Sequence, residues 1–108
     1  MSLDIYVQAP KCPHCGRSDE EVNVNITYNL SRMWREAGFD DKACDSGRAV
    51  DIIENVTKAI QTLRSDPVRF RAMNPSNGWG SYEGLIEALE RLRTACEEHP
   101  DGTLRTWR

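Results

Sequence analysis

The chain has 108 residues and a mass of 12.3 kDa, which favours a single domain over residues 1–108, since two separate cores would need ~50 residues each. Hydrophobic residues make up 39%, and seven glycines bring the composition close to that of an ordinary globular domain. The 17 acidic and 14 basic side chains give a net charge of −3, which argues against binding nucleic acid by bulk attraction to phosphate. No apolar run approaches the ~18 residues of a membrane span or follows Met1 as in a signal peptide. We therefore expect a cytoplasmic protein with no membrane partner.

Two segments near the N terminus have the alternating pattern of half-buried strands. Residues 3–8 read Leu-Asp-Ile-Tyr-Val-Gln and stop before Pro10. Residues 21–28 place one set of side chains on the apolar face, namely Val22, Val24, Ile26 and Tyr28. Because β-branched and aromatic residues favour strands, the two segments predict a hairpin.

The middle of the chain predicts one short and one long helix. Ser31 is expected to be the N-cap of a short helix that contains Met33 and Trp34 and ends at Gly38. Residues 39–46 are polar and predict a loop. Residues 47–64 repeat apolar side chains every three or four positions and predict an amphipathic helix, with a stripe of Val50, Ile53, Val56, Ile60 and Leu63.

The C-terminal third predicts a short helix, a loop, a long helix and a strand. Asp66-Pro67 begins the short helix, whose apolar contacts are Val68, Phe70 and Met73. Residues 74–80, Asn-Pro-Ser-Asn-Gly-Trp-Gly, carry turn signals throughout. Ser81 caps the long helix, which ends at His99-Pro100 and buries a stripe of Leu85, Leu89, Leu92 and Cys96. Residues 103–108 predict a last strand, with Leu104 and Thr106 facing inward.

This order predicts an α+β fold. A small antiparallel sheet, formed by the N-terminal hairpin and the C-terminal strand, is packed on one face by three helices. Pairing of the last strand with the first is a possibility that the sequence alone leaves open.

The cysteines divide into one close pair and two isolated residues. Cys12 and Cys15 form Cys-Pro-His-Cys-Gly, while Cys44 and Cys96 stand alone. Two thiolates at this spacing can hold one tetrahedral zinc ion, and the five residues resemble the knuckle of zinc-ribbon and rubredoxin-like proteins. Such proteins have a second knuckle and this chain has none, so a closed site would need two further ligands from His14, Cys44, Cys96, His99 or acidic residues. Of these we predict Cys44 as the third ligand. Cys96 lies on an apolar stripe and is expected to be a buried hydrophobe.

Two alternatives to zinc remain open for the Cys12/Cys15 turn. Cys-Pro-His-Cys also resembles the redox motif of periplasmic thiol oxidoreductases, in which a helix N-terminus lowers the thiol pKa. A strand pattern follows here instead of a helix, which argues against redox catalysis. The other alternative is a structural turn with reduced thiols.

Polar and aromatic residues are concentrated in two further segments, Asn25-Ile26-Thr27-Tyr28-Asn29 and the stretch from Asn74 to Tyr82. Together with Met33-Trp34 they resemble a family of small uncharacterised proteins of bacteria and their phages, which implies an organisation but no activity. From the residues themselves we predict a polar–aromatic ligand pocket, lined by Asn25, Tyr28, Asn29, Asn77, Trp79 and Tyr82. For Trp79 and Trp34 we favour burial over a surface role, because large aromatic side chains mostly bury area.

The predicted function is a soluble binding or adaptor domain of unknown specificity, whose partner is either a protein or a small molecule, with one structural zinc ion as an open prediction. The alternative is a small-ligand pocket protein, a class that includes phage-encoded sequestering or inhibitory factors. An enzyme ranks third, because the sequence has no Ser-His-Asp set, phosphate loop or His-Glu-x-x-His motif. An exposed Trp34 or Trp79 would favour a peptide or protein partner, whereas a ring at the base of a cleft would favour a small molecule.

Overall fold

Within residues 2–9 and 21–108, the sheet of this protein has three antiparallel strands in the order β2-β1-β3. A computed structural model describes residues 2–9 and 21–108. The strands are β1 (Ser2–Gln8), β2 (Glu21–Thr27) and β3 (Thr103–Trp107). Asp4 of β1 lies opposite Asn25 of β2 on one side and Trp107 of β3 on the other. The last strand therefore pairs with the first, and the predicted sheet is confirmed.

Two long and two short α-helices follow the hairpin within the described residues. They are α1 (Ser31–Glu36), α2 (Ala49–Ser65), α3 (Pro67–Arg71) and α4 (Tyr82–Glu98). The side chain of Asp66 accepts from the Arg69 N–H at the start of α3, and that of Ser81 accepts from the Gly84 N–H at the start of α4. The cap predicted at Ser31 is wrong, because Ser31 is the first residue of α1 and a 3₁₀ turn over Tyr28–Leu30 leads directly into it. None of the helices in the described part of the chain is long and apolar enough to cross a membrane.

The core lies between the inner face of the sheet and the two long helices. Alternate residues of β1 are fully buried, and they pack with the buried stripe of α4. The α+β fold predicted from the sequence is therefore confirmed. Two predicted core residues are wrong, because Val50 and Val68 are 47% and 80% exposed. On α2 the buried face instead includes the small residues Ala49 and Ala59.

Residues 39–46 are not the polar loop that their composition predicts. Phe39, Asp41 and Cys44 are buried, and a 3₁₀ turn runs over Lys42–Asp45. Asn55 of α2 holds the start of the segment, donating to the Gly38 carbonyl and accepting from the Asp40 N–H, both at 2.8 Å. Local polarity was misleading because the groups that pair with this segment come from distant parts of the chain.

Tyr82 ties the start of α4 to the end of α2. Its hydroxyl donates to the Leu63 carbonyl at 2.6 Å, and the residue is 4% exposed. In a regular helix the Leu63 carbonyl would accept from the N–H of residue 67, but residue 67 is proline and has no N–H. The tyrosine therefore supplies the donor that Pro67 lacks.

The first prediction concerns this hydrogen bond. Tyr82→Phe keeps the ring but leaves the Leu63 carbonyl buried without that donor, so it is expected to lower the free energy of unfolding by ~1–3 kcal/mol. Thermal or urea unfolding measures the change. Tyr6 lies on the face of the sheet that points away from the helices, so Tyr6→Phe is the matched control and should unfold like the parent. Equal stability of the two variants would show that the Tyr82 hydroxyl contributes nothing.

Candidate functional site

The loop between α3 and α4 is held against the end of β2 by a close backbone approach at Gly80. Its φ of +99° lies in the left-handed region that favours glycine. A Cβ at this position would come within 2.7 Å of Thr27 Cγ2 and 2.9 Å of Leu30 Cγ. Only glycine therefore fits here without displacing those side chains.

Two asparagines fix the shape of the same loop from within. Asn74 Oδ1 accepts from the Tyr82 N–H at 2.8 Å, and Asn77 Oδ1 accepts from the Trp79 N–H at 2.9 Å. Asparagine side chains commonly stabilise turns by such bonds to the backbone ahead of them. The backbone that carries Trp79 is thus defined on both sides.

Trp79 is a surface residue, and the prediction that it is a core plug is wrong. It is 69% exposed, whereas Trp34 is fully buried as predicted. The positive φ of Gly78 and of Gly80 turns the chain outward at this point and back again before α4. Trp34 fills the core in contact with Tyr28 and Phe39, with ring centroids 5.6 and 6.4 Å away.

Trp79 lines a groove of about 540 Å³. The groove lies at the open end of the β1–β2 hairpin, where β1 begins and β2 ends, and we call it the amide groove. Its lining consists of uncharged polar side chains and one aromatic ring, from Ser2, Asn25, Thr27, Asn29, Asn77 and Trp79. Four of these residues, Asn25, Asn29, Asn77 and Trp79, belong to the pocket predicted from the sequence. Their role in ligand binding stays a prediction.

The amides of the groove are oriented by their neighbours. Asn25 Nδ2 donates to Ser2 Oγ at 3.1 Å and to Asp4 Oδ1 at 2.8 Å, and Asn29 Nδ2 donates to Thr27 Oγ1 at 3.2 Å. Within the described residues, these contacts leave Oδ1 of Asn25 and Oδ1 of Asn29 as acceptors for a ligand. They also leave Nδ2 of Asn77 as a donor. The groove therefore combines fixed hydrogen-bonding groups with an exposed aromatic face, as recognition sites do.

Tyr28 and Tyr82, the other two residues of the predicted pocket, lie elsewhere. Tyr82 is the buried first residue of α4, and its hydroxyl donates to the Leu63 carbonyl. Tyr28 packs on Trp34, and its hydroxyl accepts from Arg108 Nη1 at 2.7 Å. Sequence proximity suggested the pocket, but both hydroxyls have structural partners that the sequence does not reveal.

Arg108 is the centre of a cluster that joins the end of β3 to residues 41–45. Its guanidinium donates to Asp41 Oδ2 and to Asp45 Oδ1, both at 2.9 Å. Hydrogen bonds from Thr106 and from Arg108 lower the pKa of the Asp45 carboxyl. Because Asp41 is 4% exposed and a buried carboxylate needs a partner, this cluster is structural.

The predicted metal ligands Cys12 and Cys15 lie outside the described residues. Cys44 is buried rather than placed in a polar loop, and Cys96 is buried in the core as predicted; both are free thiols. Burial raises the pKa of Cys44 to about 12, and repulsion from Cys96 in its ionised form and from Asp41 adds to the effect. Burial also raises the pKa of Cys96 to about 11. A thiol must lose its proton to bind zinc, so this environment works against Cys44 as a ligand.

The described part of the chain has no group of three or more His, Cys, Asp or Glu residues that could hold a metal ion. A second groove, of about 490 Å³, lies between Val22 and the side of α4 that carries Glu87, Arg91 and Glu98. Its acidic side chains are those of a solvated helix face. The amide groove is the better candidate site because its polar groups are fixed and it has an aromatic surface.

Sequence reasoning missed Ser2 and Thr27 in the groove and Asp4 and Trp107 beside it. The alternation in β1 and β3 contains the signal for three of them, because Ser2 and Asp4 fall on the face opposite Leu3 and Trp107 follows an inward-facing residue. The same alternation that selects the core residues therefore also identifies the residues of the outer face.

Comparison of this chain with family models, with curated proteins and with solved structures gave no match. The resemblance to small proteins of bacteria and phages therefore stays a prediction, and the candidate site depends on its own geometry.

The second prediction compares two glycines of the same loop. Ala at Gly78 meets no atom within 4 Å and should cost only the ~1–2 kcal/mol of a left-handed backbone. Ala at Gly80 adds the contacts with Thr27 and Leu30 and should cost ~1–3 kcal/mol more. Unfolding of Gly78→Ala and Gly80→Ala measures the difference. Equal costs would mean that the loop does not lie against β2 as described.

Proposed function

We propose that this protein is a binding module that recognises a polypeptide partner through the amide groove. The observation that carries the proposal is the position of Trp79, a large aromatic ring held out of the core on a loop fixed by Gly80 and Asn77. Exposed aromatic residues are enriched at sites where proteins contact partners.

The chemistry of the groove supports recognition. Amide oxygens, an amide N–H₂ group and hydroxyls match the donors and acceptors of a peptide backbone, while the tryptophan ring provides apolar contact area at low entropy cost. The amides are already held by Ser2, Asp4 and Thr27, so their ordering costs little at the moment of binding.

A polypeptide fits this site better than a small molecule because Trp79 stands exposed at its edge and does not form the base of an enclosed cleft. The small-ligand alternative has one observation in its favour. The volume of about 540 Å³ falls within the ~300–1,000 Å³ of small-molecule sites. A compound that shifts the Trp79 indole N–H signal while selected peptides do not would favour that alternative.

The third prediction tests the proposed function by display of random linear heptapeptides against the immobilised protein. We expect enrichment of related sequences whose affinity falls at least tenfold in Trp79→Ala, because an aromatic anchor is worth ~2 kcal/mol or more. Val68→Ala removes another highly exposed hydrophobic side chain, on α3, and should bind like the parent. Absence of enrichment, or equal affinity for Trp79→Ala, contradicts the proposal.

We also propose one structural zinc ion at the Cys12/Cys15 turn, in a module that works in the cytoplasm. The support is the Cys-Pro-His-Cys-Gly spacing together with the two buried free thiols, which fit a reducing compartment. Cys44 remains the predicted third ligand, although its burial and raised pKa oppose it.

The fourth prediction tests Cys12 and Cys44 individually as zinc ligands. Because binding energy of a structural metal is also folding energy, chelation should lower the melting temperature of the parent protein, and Cys12→Ser should abolish that sensitivity. Cys44→Ser tests the third ligand: it should also abolish the sensitivity if Cys44 binds the ion. A metal-free preparation whose melting does not respond to chelator would rule out the zinc site.

A further inference from the structure

The amide groove opens onto the outer face of the sheet, and a second exposed tryptophan lies on that face. Trp107 is 72% exposed and is paired with Asp4, which is also paired with Asn25 of the groove. The Asn25 side chain donates to Asp4 Oδ1 as well as to Ser2 of the groove, so its hydrogen bonds connect the groove to Asp4 in the middle strand. We call Trp79, Asn25, Asp4 and Trp107 the outer strip.

The outer strip has the length of a short extended peptide. Asn25 and Trp107 lie on the two strands that flank Asp4, so two strand spacings, about 10 Å, separate their backbones. Trp79 and Asn25 line the same groove. An extended chain advances about 3.3 Å per residue, so about three residues cover the two strand spacings, and a pentapeptide continues past Asn25 toward the groove.

The charge of the strip identifies the kind of segment. Asp4 carries its only formal charge, and of its two carboxylate oxygens only Oδ1 accepts hydrogen bonds from Asn23 and Asn25. The neighbouring cation of the same face, Arg105, is already stacked 5.5 Å from the Tyr6 ring centroid and lies 3.7 Å from Glu21. Among the described residues, no hydrogen bond reaches the other oxygen of Asp4, so the strip presents that oxygen beside Trp107 and the groove lined by Trp79.

We infer that the outer strip binds a basic, extended segment of the partner, with an arginine at Asp4 between Trp79 and Trp107. A guanidinium pairs with a carboxylate and also stacks on the face of an indole ring, so both features of the strip attract the same group. An acidic segment or a phosphate backbone would instead be repelled by the carboxylate of Asp4. This inference rests on the proposed function, whose peptide site it extends and specifies.

The test uses three blocked pentapeptides that differ only at positions two and four, which are both Arg, both Gln or both Glu. The indole N–H signals of a ¹⁵N-labelled protein are followed during titration and are assigned with Trp79→Phe and Trp107→Phe. The Arg peptide is expected to shift the signals of Trp79 and Trp107, while the signal of the buried Trp34 stays in place. Its affinity should exceed that of the Glu peptide by ~10-fold or more, and the difference should shrink in high salt.

Asp4→Asn and Asp101→Asn form a matched pair, because each removes one negative charge and only the first lies in the outer strip. Asp4→Asn keeps the acceptor for Asn25 and should weaken binding of the Arg peptide by ~2- to 5-fold, the contribution of one exposed ion pair. Asp101→Asn should bind like the parent. Equal affinities of these two variants, or equal binding of the three peptides, would overturn the inference.

The outcome also separates this inference from the proposed function. If display-selected peptides bind through Trp79 but carry no basic residue and do not depend on Asp4, the inference is wrong and the binding module stands. If neither the selected peptides nor the three pentapeptides shift the Trp79 signal, both are wrong.

Discussion

The position of the candidate site depends on one close contact, in which the backbone of Gly80 lies against the side chains of Thr27 and Leu30. No residue with a Cβ fits at this distance without displacing its neighbours. The contact covers the edge of the core where the hairpin leads into α1. It also places the loop that carries Trp79 at the end of β2. The same local geometry therefore completes the fold and forms one wall of the amide groove.

The three tryptophans divide between two roles that the sheet separates. Trp34 lies on the helical side, fully buried, where it fills the core with Phe39. Trp79 and Trp107 are exposed at opposite ends of the outer strip, with polar side chains of β1 and β2 between them. A sheet covered by helices on one face leaves its other face available for recognition. Here that face carries Asn25, Asp4 and Trp107, and Trp79 on the loop before α4 lines the groove next to Asn25.

Much of the fold could be predicted because its signals are local. The alternation of residues 3–8, the Asp66-Pro67 start of α3 and the Ser81 cap each act within a few positions. Residues 39–46 could not be predicted in the same way, since Asp41 is buried with the help of Arg108, 67 positions away. The candidate site shows the same limit: the asparagines were recognised by type, but Tyr28 and Tyr82 were misplaced because distant Arg108 and Leu63 bind their hydroxyls.

The exposure of Trp79 is the central claim, and thermal unfolding of Trp79→Ala beside Trp34→Ala tests it most directly. Truncating Trp34 leaves a large cavity in the core and should lower the free energy of unfolding by ~3–5 kcal/mol. Truncating an exposed ring on an ordered loop leaves no cavity, so Trp79→Ala should melt within about a degree or two of the parent, which corresponds to under ~0.5 kcal/mol. Destabilisation of Trp79→Ala comparable to that of Trp34→Ala would contradict the account, because it would return Trp79 to the core and remove the aromatic wall of the groove.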